Sequence, residues 1–249
     1  MTNNELKIYA SLKHRKFRLE HGLFLVEGHK TIEELLKSDF EIVKIIGSED
    51  SLQKTKLYKL GVSEPVNNKT LERISNMKSA SNLIAIVKIP KLNDFDIVGK
   101  TILIDEIQDP GNLGTIIRTA HWFGFNQIIC SENSVDLYNH KVIQASMGAV
   151  FKLKVSYANL EDVIPLFQAE NLRVLGTFMQ GESIYNFNFT EQDIFILGNE
   201  GKGISSKIEG LIDKKISIPN FTQSDKTESL NISIAGAVVC SEMANKIMQ

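Results

Sequence analysis

Thr101-Ile-Leu-Ile-Asp-Glu-Ile-Gln-Asp-Pro-Gly-Asn-Leu-Gly-Thr-Ile-Ile-Arg118 is the stretch from which the architecture is read. Its first four residues are a short apolar run of strand type. Asp109-Pro-Gly-Asn112 is a turn signal, with Asn112 expected as the N-cap of the next helix. Leu113, Ile116, Ile117, Ala120 and Phe123 then fall on one helical stripe. Strand, polar turn and helix in that order make a βα unit. The same grammar continues toward the C-terminus. Strands are expected at Gln127–Cys130, Phe151–Val155, Leu172–Thr177, Ile194–Leu197 and Lys215–Ile218. Helices are expected at Val142–Met147, Leu160–Ala169, 205–213 and Ile232–Ile247. Strands alternating with helices predict an α/β domain built on a mostly parallel sheet.

Upstream the pattern is shorter. Leu23–Glu27 reads as a strand, Gly28–Lys37 as a helix with Ile32, Leu35 and Leu36 at helical spacing, and Ile42–Ile46 and Leu83–Val87 as further strands. This is a small α/β unit. Lys88-Ile-Pro-Lys-Leu-Asn-Asp-Phe-Asp96 is the connection, a proline among polar residues between two apolar runs. The division predicted is therefore residues 1–93 and residues 98–249.

The chain of 249 residues has a net charge of −2, which by itself does not point to nucleic acid. The distribution is more informative. Lys13-His-Arg-Lys-Phe-Arg18 is a basic cluster with one aromatic residue, and residues 54–78 carry Lys54, Lys56, Lys59, Lys69, Arg73 and Lys78 against Glu64 and Glu72. Either run alone reads as a solvated helix face. Both in one half fit a phosphate-contacting domain attached to a catalytic one, with Lys13, Arg15, Lys16 and Arg18 as candidate RNA contacts.

Several classes are disfavoured. No apolar run approaches the roughly 20 residues that span a bilayer, and Met1-Thr-Asn-Asn-Glu5 has no apolar signal core. A cytoplasmic protein without a membrane segment is expected. Cys130 and Cys240 sit inside apolar runs and read as small buried hydrophobes. The histidines are scattered without ligand spacing, so no metal is expected.

Two further polar segments end apolar runs: Leu197-Gly-Asn-Glu-Gly-Lys-Gly-Ile204 and Glu228-Ser-Leu-Asn-Ile-Ser-Ile-Ala235. In α/β sheets the carboxyl edge of the strands is where ligands bind. Three such turns with one arginine, one glutamate and several small hydrogen-bonding side chains predict a composite site. The glycines after Leu197 let backbone approach a ligand closely, yet they match neither the phosphate-loop nor the dinucleotide spacing, which excludes those ligands on motif grounds. Arg118 reads either as a stem reaching solvent or as a fork gripping phosphate. Capping explains one of Ser229 and Asn231, but not both together with Glu228.

Here the chain resembles the SpoU (TrmH-type) RNA ribose 2′-O-methyltransferases of the SPOUT superfamily. Asn112, Gly114 and Arg118 match the first motif; Gly198, Glu200, Gly201 and Gly203 the second; Ile218, Pro219, Ser229, Leu230 and Asn231 the third. The likeness covers residues 98–249. More weakly, the front half with Phe24-Leu-Val-Glu-Gly28 looks like the substrate-binding domain fused to such enzymes. The resemblance implies methyl transfer from S-adenosylmethionine to a ribose 2′-hydroxyl, with ribosomal RNA favoured over transfer RNA. It also implies a SPOUT domain with a deep C-terminal trefoil knot and a homodimer. By family analogy Phe178, Leu197, Gly198, Gly201, Ile218 and Leu230 hold the cofactor. Asn112, Glu200, Ser229 and Asn231 orient the ribose and the catalytic Arg118, which also contacts RNA. Arg118 is expected either as the base or as a phosphate clamp. One departure is the polar loop Asn220–Thr227, longer than usual and without the glycine often found there. A non-catalytic RNA-binding factor of the same fold and a small-molecule enzyme are the readings from other classes.

Overall fold

The computed structural model describes residues 1–55, 57–91, 95–222 and 229–247. The N-terminal unit opens with α1 (Asn3–Ser11) and α2 (Arg15–His21). β1 (Leu23–Glu27), α3 (His29–Leu35), β2 (Ile42–Gly47), α4 (Glu49–Lys54), β3 (Ser63–Pro65), α5 (Asn68–Ile74) and β4 (Leu83–Lys88) come next. The four strands form a sheet in the order β1-β4-β2-β3, in which β4 runs antiparallel to both β1 and β2. Thr2 starts α1 with a capping box to Glu5. Gly22 ends α2 in the left-handed conformation that glycine adopts without steric cost. Apolar periodicity predicts none of α1, α2, α4, β3 and α5, which are short and mostly polar.

The second unit comprises β5 (Thr101–Ile104), α6 (Pro110–Trp122), β6 (Gln127–Ser131), α7 (His140–Ser146), β7 (Lys154–Ala158) and α8 (Leu160–Ala169). It continues with β8 (Arg173–Ser183), β9 (Asp193–Leu197), α9 (Ser206–Glu209), β10 (Lys214–Ser217) and α10 (Ile232–Ile247). Its six strands are all parallel, in the order β10-β8-β9-β5-β6-β7. As expected for a parallel sheet covered on both faces, β5 and β9 are buried along their whole length.

Chain order runs outward from β5 through β6 and β7, whereas β9 and β8 lie on the other side of β5. The crevice between the carboxyl ends of β5 and β9 is therefore a topological switch point. After β10, at the sheet edge, the chain returns to the middle: α10 packs on α6, where Gly236 approaches Leu197 and Ile116. That return is consistent with the C-terminal knot the resemblance implies.

Four expectations are corrected in detail. The strand expected at Phe151–Val155 lies at Lys154–Ala158; Ala149–Phe151 is instead a buried 3₁₀ turn, set off by left-handed Met147 and Gly148. Its apolar run packs against the N-terminal unit rather than a neighbouring strand. The helix expected over 205–213 is the single turn of α9, ending before Gly210. β8 runs on to Ser183, past the end expected at Thr177, so Phe178 lies within the strand. The N-cap of α6 is Asp109, not Asn112: its carboxylate accepts the Asn112 backbone N–H at 2.8 Å, with Pro110 in the first turn.

Both cysteines are buried, and burial pushes the thiol of Cys130 up to about 12 and that of Cys240 higher, as expected for inert core residues. The core is continuous between the two units, with Phe24, Val26 and Ile32 in the same cluster as Ile104, Tyr138 and Phe151.

Candidate active site

Three loops meet at the switch point, and their side chains form a hydrogen-bonded line. Asn112, in the first turn of α6, donates from Nδ2 to Glu200 Oε1 at 3.2 Å. Its own Oδ1 accepts from Asn231 Nδ2 at 3.0 Å. Glu200 Oε1 also accepts the backbone N–H of Asp109 at 3.4 Å. The interactions join residues separated in sequence by 88 and 119 positions, so only the fold assembles them. Asn231 also caps α10, accepting from the Ser233 backbone at 2.9 Å and the Ser233 hydroxyl at 2.7 Å. Both roles fit one side chain, because the amide oxygen serves the helix and the amide nitrogen serves Asn112.

The β9–α9 loop is held by a residue that none of the three motifs singles out. Asn199 Oδ1 accepts from Gly201 N at 2.9 Å and Lys202 N at 3.1 Å, and its backbone exchanges two 2.9 Å hydrogen bonds with Gly203. Its Nδ2 reaches across to the carbonyl of Glu106 at 2.8 Å. Glu106 adopts φ +58°, an uncommon conformation for a residue with a side chain, which places it among the strained positions that cluster at functional sites. Asp105, buried at the end of β5, accepts from Ser205 N at 2.8 Å and ties the far end of the same loop. The signal was present as an asparagine before Glu200, but its partner, a backbone carbonyl 93 residues away, was not.

Gly198 is required by the same turn. A Cβ there would lie 2.3 Å from the Gly203 carbonyl carbon and the Ile204 nitrogen. Leu197 is buried against Gly236, and its carbonyl accepts the Asp105 backbone N–H at 2.8 Å. Gly201 is exposed, Ile218 is half-buried, and Leu230 is 49 % exposed beside Asn231. Ser229 is exposed; Glu228 and the stretch 223–227 of the long loop lie outside the described residues. Phe178 is placed differently from the rest. Its ring and the Ile212 side chain close over Gly176, with Lys215 Nζ 4.6 Å from the ring centroid.

Arg118 is exposed on α6, and among the described residues its guanidinium has no hydrogen-bond or ion-pair partner. Trp122, one turn later on the same face, is 83 % exposed. Lys13, Arg15 and Lys16 are exposed at the start of α2. Arg18 is not: it is 5 % exposed and ion-paired to Asp136 at 2.5 Å, which overturns its expected place among the RNA contacts. The helical period turns Arg18 away from the face that Lys16 and Leu19 occupy.

The tight backbone turn at Gly198 suits a ligand held by main-chain groups, and Ile218 and Leu230 are apolar residues of the third motif. The exposed Arg118 suits an anionic one. This arrangement, at the switch point of a parallel sheet and beside a unit bearing a basic helix, is the layout of an RNA-modifying transferase. The chain belongs to the SpoU rRNA Methylase family: the family profile matches residues 99–241, and an MRM3-like substrate binding domain matches residues 3–85. It is 29 % identical, over 95 % of its length and 94 % of the relative's, to the 23S rRNA (guanosine(2553)-2′-O)-methyltransferase RlmP of Bacillus subtilis. A TrmH-family structure from Porphyromonas gingivalis superposes with a TM-score of 0.88 at 34 % identity, covering 98 % of both chains. An AdoMet-bound rRNA methyltransferase from Sinorhizobium meliloti superposes with a TM-score of 0.85 at 25 % identity, covering 100 % of this chain and 97 % of the other.

Proposed function

We propose that the protein methylates a ribose 2′-hydroxyl of ribosomal RNA, with S-adenosylmethionine as donor. The observation that carries this reading is the Glu200–Asn112–Asn231 line, which draws the three motif loops together at the start of α6, the helix that carries the exposed Arg118. Residues 98–249 are the catalytic unit and residues 1–93 the RNA-binding unit.

S-adenosylmethionine, when bound, supplies a methyl group already activated on a sulfonium sulfur. The protein's task is then to place the 2′-oxygen in line and to stabilise it as its proton leaves. In this reading the backbone of Leu197, Gly198 and Gly201 and the side chains of Ile218 and Leu230 hold the donor. Phe178, half-buried beside Gly176 and Ile212, adds an apolar wall near the adenosine. Asn112, Glu200, Ser229 and Asn231 orient the ribose. The Arg118 guanidinium offers only hydrogen-bond donors and no acceptor. It therefore clamps a backbone phosphate and stabilises the developing alkoxide.

The protein acts as a homodimer. In this reading Trp122, 83 % exposed at the end of α6, and Ile234, 52 % exposed at the start of α10, present apolar side chains to the second chain from the packed pair α6 and α10. Arg118 shares the α6 face with Trp122, so the second chain would border the site. Among the described residues no group of three His, Cys, Asp or Glu side chains is placed to hold a metal, and no helix is long and apolar enough to cross a membrane.

The test is transfer of tritiated methyl from S-adenosylmethionine onto total ribosomal and transfer RNA from cells lacking the gene. Alkali-resistant label at one linkage in ribosomal RNA, lost in Arg118→Ala, is the expected outcome. Label confined to transfer RNA would overturn the substrate. No label, with no donor binding by calorimetry, would leave an RNA-binding protein on a methyltransferase fold.

A further inference from the structure

The two units meet along a seam of rings and ions. Phe24 packs against Tyr138 in a tilted pair with ring centroids 4.5 Å apart, and Phe40 meets Phe151 edge-on at 5.4 Å. At one end of this apolar strip Arg18 of the N-terminal unit pairs with Asp136 of the catalytic unit. At another, Glu34 of the N-terminal unit pairs with Lys152 of the catalytic unit. The polarity is reversed between the two pairs. Sliding one unit along the other, or turning it over, would separate opposite charges or juxtapose like ones.

Arg18 uses its fork fully. Nε and Nη2 donate to Asp136 Oδ2 at 3.0 and 2.5 Å. Nη1 donates to the carbonyls of Leu12 and Lys13 at 2.9 and 3.1 Å. One buried guanidinium thus binds the end of α1, the start of the exposed basic segment and the catalytic unit together. Lysine cannot reproduce that fork. The loop it grips leads to the active site. Val135, next to Asp136, donates to the Ile107 carbonyl at 2.8 Å, and Glu106 N donates to the Ser131 hydroxyl at 2.8 Å. Glu106 is the residue whose carbonyl holds Asn199.

We propose that Arg18–Asp136, with the reversed Glu34–Lys152 pair, is a positioning device. It fixes the N-terminal unit in one register at the carboxyl edge of the catalytic sheet, so that RNA held by Lys13, Arg15 and Lys16 presents one nucleotide to Arg118. Arg18 is accordingly a positioning residue that never touches RNA. The inference rests on the methyltransferase reading, and its test separates the two.

Arg18→Gln, Arg18→Lys, Asp136→Asn and the Arg18→Gln/Asp136→Asn double variant would be assayed as full-length proteins alongside Lys16→Ala. Each single seam variant is expected to raise KM for RNA at least about tenfold while kcat and the calorimetric Kd for S-adenosylmethionine hold. The double variant should be no worse than either single one, since neither charge is then left unpaired. The salt dependence of RNA binding decides between positioning and contact. Lys16→Ala should reduce the slope of log K against log salt by about one, and Arg18→Gln, which removes the charge, should leave it unchanged. A slope lowered by Arg18→Gln, or an unchanged KM in all three single variants, would overturn the proposal.

Spin labels at Lys69→Cys and Glu170→Cys give a readout independent of catalysis: one interdomain distance in the parent, a broadened distribution with Arg18→Gln. A single distance in both would also overturn it. A wild-type protein that transfers no methyl group sinks the methyltransferase reading alone, and the spin-label distances then decide whether the seam sets the register.

Discussion

Gly198 shows how little latitude single residues have at this site. A methyl group added there meets backbone at 2.3 Å rather than a side chain that could swing away, so the β9–α9 turn must open. Gly198→Ala should lower affinity for S-adenosylmethionine by about tenfold or more, equivalent to about 1.4 kcal/mol, read by calorimetry with the fold intact by circular dichroism. Among the described residues Arg118 has no hydrogen-bond or ion-pair partner, so Arg118→Ala should leave thermal stability unchanged while lowering kcat by about 10²–10³, the cost of losing one transition-state donor. Its conservative variant distinguishes clamp from base. If Arg118 clamps phosphate, Arg118→Lys is impaired with no displaced limb in the pH–rate profile. An active lysine variant with a shifted limb would establish a base. Asn199, by contrast, should report on coupling between loops: Asn199→Ala deletes three hydrogen bonds, each worth about 1 kcal/mol.

At the scale of elements, the closest helix packing supports the site from behind. Gly114 of α6 lets α7 approach so nearly that a Cβ would lie 2.6 Å from the Ala145 Cβ and from the Val142 carbonyl. Gly114→Ala should therefore cost about 1–3 kcal/mol by overpacking, measured by chemical denaturation. Gly148 plays the corresponding part at the seam, with φ +90° and a would-be Cβ 2.6 Å from Glu34 Cβ. The Glu34 carboxyl is held down to about 2, first by its hydrogen bond to Lys152 and then by Lys37. Because the folded value lies below the unfolded one, the stabilisation is fully present above about 4.5 and fades as pH falls toward 2. The carboxyl-carbon NMR titration of Glu34 should show a midpoint near 2 that moves back toward its ordinary value in Lys152→Ala. An unmoved midpoint would show that the seam pair does not set it.

On the scale of the whole molecule, the exposed Trp122 is a large apolar surface at the edge of the site. If a second chain borders Arg118 as proposed, light scattering should give the mass of a dimer, and Trp122→Glu should shift it toward the monomer and lower activity together. A monomeric wild type with full activity would remove the dimer from the reading.

The alternation of strands and helices after Thr101, and the polar segments that end them, were legible without coordinates. Periodicity is a local property, and turn residues act within a few positions. The membership of Asn112, Glu200 and Asn231 in one site was expected from motif likeness and is realised in direct hydrogen bonds. What no local pattern could carry is the fate of particular residues in packing. Arg18 belongs to a basic run indistinguishable residue by residue from its neighbours, yet the turn of α2 carries it into the seam against an aspartate 118 positions away. Phe151 reads as the start of a strand because burial favours the same apolar residues whether they join a sheet or a domain seam. The switch point, the part played by Asn199 and the register of the two units are decided by contacts between distant segments, and these exist only once the sheet has closed.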